Sequence, residues 1–194
     1  MEQIKIKGKI FDIVEQISHK SFKVTRKNKE FLLKRFVENS LELEDFIKKS
    51  RELKISGISI PKVQIIDKKS NSVILDYIPG PTALDVIVNQ SLDKAYYEKI
   101  FEAAWYAEHE KITLDFRPDN WKLYNGRLYY LPFDYVAGYD KNRSFDLVGL
   151  RYWFYTKELA DYINSKGLQV DKMRLKDEYA TNKEIVMCAC QYHI

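Results

Sequence analysis

The polar stretch DFRPDN at residues 115–120 carries residue types that could do chemistry. Asp115 and Asn120 stand five residues apart with the cation Arg117 between them, and Asp134 follows 14 residues after Asn120. A carboxylate can orient or deprotonate a hydroxyl, and an amide oxygen with a second carboxylate can hold Mg²⁺. Phosphoryl transfer needs such groups because it depends on positioning and charge neutralisation. We therefore expect Asp115 and Arg117 to be catalytic and Asn120 and Asp134 to bind metal.

The residues after this stretch predict one element that holds both expected metal ligands. Residues 121–134 contain two β-prone runs joined by Asn125-Gly126, a pair typical of a tight hairpin turn. Asn120 and Asp134 would then stand at the two ends of one rigid hairpin. A purely structural interpretation stays open, since Asp, Asn and Pro are ordinary turn residues.

The N-terminal part predicts strands and a single helix. Residues 4–37 are β-prone, with a turn at 27–29. Asn39 and Ser40 predict a helix N-cap, the next residues supply acids for the first turn, and the helix should end at Gly57. A second hairpin is predicted over 61–78.

The C-terminal part predicts mainly helices. The run Pro-Gly-Pro at residues 79–81 interrupts the pattern, and we place a lobe boundary there. The sequence from residue 82 has helical periodicity up to the hairpin, and the segment 144–167 returns to it.

Composition favours a folded cytoplasmic protein. The 194 residues are 45% hydrophobic, and 32 Lys+Arg stand against 28 Asp+Glu, for a net charge of +4. Nucleic acid is therefore not expected as a partner. No window is long and apolar enough to span a bilayer, and no signal peptide is recognisable, so only peripheral membrane contact stays open. Cys188 and Cys190 are expected to be packing thiols.

Several ordered elements resemble the protein-kinase-like superfamily. The stretch 115–120 aligns with that superfamily's D-L-K-P-E-N, and the segment 133–135 stands where D-F-G would stand. The run FLLK at 31–34 resembles V-A-I-K, and VILDYIPG at 73–80 resembles the hinge. The run SFDL at 144–147 resembles the start of the helix whose Asp supports the catalytic loop.

This resemblance implies an α+β fold of two lobes. A small β-rich lobe over 1–78 would contain an antiparallel sheet and one helix. A reduced helical lobe over 79–194 would carry the catalytic loop and the metal-binding hairpin. The short chain is similar to the compact members: the lipopolysaccharide-core sugar kinases, the RIO kinases and the kinase of the KEOPS complex.

The same resemblance implies ATP and Mg²⁺ as cofactors. Lys34 would contact the α- and β-phosphates, and the backbone near Asp76 and Ile78 would hydrogen-bond adenine. Glu44 is the first choice for the helix acid that pairs with Lys34, with three alternatives: Glu42, Asp45 and Glu52. The glycine-rich phosphate loop has no counterpart, because residues 17–24 lack glycine, and Lys20 and Lys23 could supply charge there instead.

The expected function is ATP- and Mg²⁺-dependent transfer of the γ-phosphoryl group to a hydroxyl. The acceptor could be a sugar or lipid-linked glycan, a small molecule, or a protein Ser or Thr. The alternative is a pseudokinase, a binding or scaffold protein of the same fold without turnover.

Overall fold

A six-stranded antiparallel sheet forms the first part of the chain in this computed structural model, which describes residues 2–38, 40–90, 92–154 and 156–169. The strands are β1 (Gln3–Ile6), β2 (Lys9–Ser18), β3 (Ser21–Arg26), β4 (Lys29–Arg35), β5 (Val63–Asp67) and β6 (Ser72–Asp76). Their order across the sheet is β1-β2-β3-β4-β6-β5. Lys27 and Asn28 adopt positive φ at the β3–β4 turn.

The two faces of this sheet enter different hydrophobic clusters because strand side chains alternate. Ile74 packs on one face with Leu33 and Val24. Val73 and Leu75, its neighbours on β6, pack on the other face against the helix that follows β4.

That helix, α1, runs from Glu42 to Ile55 and places Leu43 and Phe46 on the sheet. Its predicted end is confirmed: Ser56 is the C-cap and Gly57 follows with φ +79°. The predicted start is shifted, because the N-cap position falls at Leu41, which makes no side-chain cap. Asn39 lies outside the described residues.

The second part contains helices and two small sheets. The elements are α2 (Ala83–Asn89), α3 (Lys94–His109), β7 (Ile112–Thr113), β8 (Trp121–Tyr124), β9 (Arg127–Tyr130), β10 (Val136–Ala137), α4 (Leu150–Trp153) and α5 (Lys157–Ser165). β8 and β9 form the predicted hairpin, with Asn125 and Gly126 both at positive φ. β7 pairs with β10, which brings the chain on either side of the hairpin together.

The segment 144–167, predicted to be helical, is divided. A π-helical turn occupies Phe145–Gly149 and leads into α4. Thr156 then starts α5 by accepting a hydrogen bond from Leu159 N, so a polar cap interrupts the periodicity.

The mixed α+β architecture is confirmed, and the predicted order of strands, one helix and then mainly helices is observed. The division into lobes near residue 78 stays a prediction, because Leu53 and Ile58 pack in the cluster of the later helices. No helix within the described ranges is long and apolar enough to cross a membrane. Cys188 and Cys190 lie outside the described residues.

Candidate active site

The 115–120 stretch is a loop between β7 and β8 that is tied by its own polar groups. Pro118 opens a 3₁₀ turn that ends at Asn120, where a proline is tolerated because the first N–H needs no partner. The backbone oxygen of Asp115 accepts hydrogen bonds from Asn120 Nδ2 at 3.4 Å and Trp121 Nε1 at 3.3 Å. The loop therefore folds back on Asp115.

The Asp115 carboxylate forms a bidentate ion pair with Arg117. Arg117 Nε lies 2.9 Å from both carboxylate oxygens, and the Arg117 backbone N–H donates to Oδ1 at 3.1 Å. Partial burial opposes ionisation of Asp115, but the bonds from Arg117 prevail and hold its pKa below the ordinary value. The same pair raises the pKa of Arg117.

Asp134 follows Phe133, a buried residue at φ +57°. The Phe133 ring packs 4.9 Å from the ring of Phe46 on α1, which holds this unusual backbone in place. The Asp134 side chain is 70% exposed, and its Oδ1 accepts from Lys49 Nζ at 2.6 Å. Asp134 is thus presented to solvent beside a helix cation.

Tyr130 joins the two candidate carboxylate residues. Its hydroxyl donates to the backbone oxygen of Asp134 at 2.8 Å and accepts from the backbone N–H of Asp115 at 3.3 Å. Burial raises the pKa of Tyr130, so the phenol stays protonated and can donate. The structure therefore brings Asp115 and Asp134 to one place.

Lys34 lies on β4 opposite Ser21 and Val73. Its ammonium is 5.5 Å from the centre of the Phe46 ring. Burial lowers the pKa of Lys34, and the negative charge of Asp134 opposes that shift. Lys34 and Asp134 are thus within electrostatic reach of each other.

The acids of α1 point to different partners. Glu42 pairs with Lys20 Nζ at 2.9 Å, and its charge also acts on Lys34. Glu44, the first choice for the Lys34 partner, is not brought to Lys34, because its carboxylate lies 3.3 Å from Lys68 Nζ. The two other candidates are engaged elsewhere, Asp45 with Lys49 and Glu52 with the Tyr135 hydroxyl.

Lys20 lies in the short turn between β2 and β3. Its backbone oxygen accepts from Arg35 N at 2.8 Å, which fixes the turn over the end of β4. The turn places the Lys20 ammonium beside Glu42 and close enough to Lys34 to lower the pKa of Lys34 further.

The hinge-like segment continues from β6. Asp76 pairs with Phe31 across the sheet, and its carboxylate accepts from Gln64 Nε2 at 2.6 Å. The Ile78 backbone oxygen accepts from Lys122 Nζ at 3.4 Å. Burial lowers the pKa of Lys122, which is therefore a partly desolvated cation beside the hinge-like segment.

Sequence reasoning missed Lys122, Lys49 and Tyr130. Lys122 follows Asn120 by two residues in the sequence, and this closeness could have indicated that it belongs to the site. Tyr77 was also missed, although Lys122 and Lys23 lie 5.7 and 4.6 Å from the centre of its ring.

Support for the 115–120 stretch comes from the later helices. Trp153 Nε1 donates to the Phe116 backbone oxygen at 2.5 Å. Lys166 Nζ lies 3.0 Å from Asp119 Oδ2 beside Tyr162, whose pKa is raised by burial to about 12. Asp146, expected from the resemblance to support this loop, is exposed.

Two oxygen donors of the site are of the chemical type that Mg²⁺ prefers. Asp134 offers carboxylate oxygens at the surface and Asn120 an amide oxygen. Mg²⁺ is typically held by one or two protein oxygens together with phosphates and water. Among the described residues, no cluster of three or more His, Cys, Asp or Glu side chains could hold a metal.

The chain matches no family model and no curated protein.

Proposed function

We propose that this protein is an ATP- and Mg²⁺-dependent phosphotransferase of the kinase-like type that acts on a hydroxyl. The observation that carries the proposal is the Tyr130 hydroxyl, which links the backbones of Asp115 and Asp134 at 3.3 and 2.8 Å. The link joins the chain segments that carry the candidate general-base carboxylate and the candidate metal-binding carboxylate, and both groups must be positioned around one phosphoryl group. Lys34, within reach of Asp134, supplies the cation for the nucleotide.

Each residue has a defined task in this proposal. Lys34 binds the α- and β-phosphates, and Asn120 and Asp134 hold Mg²⁺, which neutralises phosphate charge when bound. The Asp115 carboxylate orients the acceptor hydroxyl and receives its proton. Arg117, which now covers that carboxylate, turns toward the transferring phosphoryl group.

A small cavity beside Asp115 supports acceptor binding there. It has a volume of about 280 Å³ and is lined by Asp115, Arg117, Arg143 and Tyr152 among others. Arginine and tyrosine side chains can hydrogen-bond a polar acceptor. A sugar or lipid-linked glycan, a small molecule or a protein Ser or Thr would present its hydroxyl at this point.

The second candidate is a nucleotide-binding protein of the same fold without turnover. Two observations favour it. The carboxylates of Asp115 and Asp134 are both engaged in ion pairs with basic side chains, and the β2–β3 turn contains no glycine. Such a pseudokinase would use the same residues for binding alone.

Thermal unfolding with Mg·ATP tests nucleotide binding. At about 100 times Kd, a ligand adds roughly 2.7 kcal/mol to stability, which corresponds to a rise in Tm of about 5–10 °C for a chain of this size. The rise should need Mg²⁺, should disappear in Asp134→Asn, and should persist in Asp161→Asn, an exposed site on α5. No rise with any nucleotide would contradict the proposal.

Turnover separates the two candidates. ADP formation from ATP by the wild-type protein, with water or a hydroxyl of the protein itself as phosphoryl acceptor, would support the phosphotransferase if it is reduced at least about 100-fold in Asp115→Asn while the Mg·ATP shift in Tm is retained. Nucleotide binding with equal, background ADP formation in both proteins would favour the scaffold.

A further inference from the structure

A continuous groove runs along α1 and β5 and reaches the hinge-like segment at Asp76 and Ile78. Two cavities of about 970 and 680 Å³ form it, and they share Ile47, Arg51 and Ile66. Neither is lined by Lys34, Asp115 or Asp134. We call this surface the α1–β5 groove.

The rim of the groove is strongly basic. Its cations come from β1 and the turn after it, α1, the chain around β5 and the β8–β9 hairpin: Lys5, Lys7, Arg51, Lys54, Lys62, Lys68, Lys69 and Arg127. Within the described ranges, only Lys68 of these makes an ion pair, with Glu44. Seven of these eight cations therefore have no carboxylate within ion-pair distance among the described residues.

The other acids of the groove are already engaged. Asp67 is buried and accepts from the backbone N–H groups of Lys7 at 2.9 Å and Lys69 at 3.0 Å. Asp76 accepts from Gln64. These carboxylates stabilise the turns of the sheet and keep their charge, but eight cations against three acids still leave an excess of positive charge in the groove lining.

The floor of the groove is aliphatic. Ile47, Ile60, Val63 and Ile66 are only partly buried and line it between the cations. β5 is also an edge strand of the six-stranded sheet. An edge strand can accept an extended segment, with alternate side chains turned toward the floor.

We propose that the α1–β5 groove binds an acidic protein segment that carries aliphatic side chains. The carboxylates would meet the basic rim, and the aliphatic side chains would cover the isoleucine floor. Single-stranded nucleic acid fits less well, since bases stack on aromatic side chains and Tyr129 is the one aromatic residue in the described lining. A second copy of this chain, with its own net charge of +4, would be repelled.

Fluorescence anisotropy with a labelled peptide of about 12 alternating Glu and Leu residues tests this, since side chains alternate along a strand. A Glu/Ser peptide of equal charge and a single-stranded RNA of about 20 nucleotides serve as comparison probes. We expect the Glu/Leu peptide to bind at least about tenfold more tightly than the Glu/Ser peptide at about 0.15 M salt.

A pair of charge reversals on α1 locates the binding. Arg51→Glu should weaken the binding of the Glu/Leu peptide at least about tenfold. Lys48 is an exposed lysine on the same helix outside the groove, and Lys48→Glu should change the Kd of this peptide less than about twofold. Lys54→Glu provides a second groove variant, and circular dichroism confirms that each variant is folded.

Three outcomes would overturn the proposal: equal affinity for the Glu/Leu and Glu/Ser peptides, tighter binding of the RNA, or equal effects of Arg51→Glu and Lys48→Glu. The experiment contains no nucleotide, so its result is independent of the proposed phosphotransferase activity.

Discussion

The Tyr130 hydroxyl donates to the backbone oxygen of Asp134 at 2.8 Å, four residues further along the chain. Because the same hydroxyl accepts from Asp115 N, one buried phenol sets the separation between the loop before β8 and the segment after β9. The hairpin alone does not fix this separation, since Asp134 stands beyond its last paired residue.

Tyr130→Phe should separate these two segments while keeping the ring packing. Removal of a buried hydroxyl that makes two hydrogen bonds should lower the free energy of unfolding by about 1–3 kcal/mol, which is a Tm loss of roughly 2–10 °C. The Mg²⁺-dependent nucleotide shift should shrink as well. Tyr129→Phe, on the same strand, should leave both Tm and the nucleotide shift unchanged. Equal behaviour of the two variants would contradict this role for Tyr130.

Lys34→Met should remove nucleotide binding without destabilising the free protein. Burial lowers the pKa of Lys34 in the folded protein. Below that folded-state pKa the charged Lys34 therefore lowers the free energy of unfolding. This destabilisation is lost as the pH rises toward the ordinary pKa of 10.5. The Tm of the variant at pH 7 should equal or exceed that of the wild type, with a difference that narrows at alkaline pH. Lys29→Met, at an exposed position on the same strand, should retain nucleotide binding. A large loss of Tm in Lys34→Met would contradict this prediction.

Lys49→Met should strengthen Mg²⁺ binding. Lys49 Nζ lies 2.6 Å from Asp134 Oδ1 and competes with a metal for that oxygen. An ion pair of this partly exposed kind is worth about 0.2–1 kcal/mol, so the Mg²⁺ Kd measured with ADP present should fall by up to about fivefold. Lys48→Met is the matched change on the same helix and should leave the Kd unaltered. Weaker Mg²⁺ binding in Lys49→Met would show that this lysine helps to hold the nucleotide instead.

Asp115→Asn should reduce stability at neutral pH but not in acid. The folded-state pKa of Asp115 is lowered, so its stabilising effect is present above the unfolded-state pKa of about 3.9 and is lost as pH falls through the folded-state value. We expect a Tm about 1–4 °C below wild type at pH 7, measured by thermal unfolding, and a difference that vanishes in strong acid. A difference that persists there would show that the introduced amide acts by steric change.

Short-range patterns made several elements predictable. The β8–β9 hairpin follows from Asn125-Gly126, because only a few residue pairs accept positive φ at both turn positions. The end of α1 follows from Gly57 for the same conformational reason. The interruption before α5 was not predicted, because periodicity does not reveal that Thr156 forms a cap.

The partner of Lys34 was not predictable, because helix phase is set by packing. Leu43 and Phe46 turn toward the sheet, and this orientation sends Glu44 to Lys68 and leaves Glu42 near Lys34 and Lys20. The local sequence provided no reason to prefer one acid of the first turn over another as the partner of Lys34. The packing of α1 against β6 decided which of these acids lies near Lys34.

By itself, the sequence determined the residue types that could do chemistry and the local elements that carry Asp115, Asn120 and Asp134. Tertiary structure alone decided that Tyr130 links Asp115 to Asp134 and that Lys49 forms an ion pair with Asp134. It also decided that α1 and β5 form a basic groove. The physical reason is range: turns, caps and periodicity depend on neighbours along the chain, whereas hydrogen bonds and charges across the fold depend on which surfaces pack together.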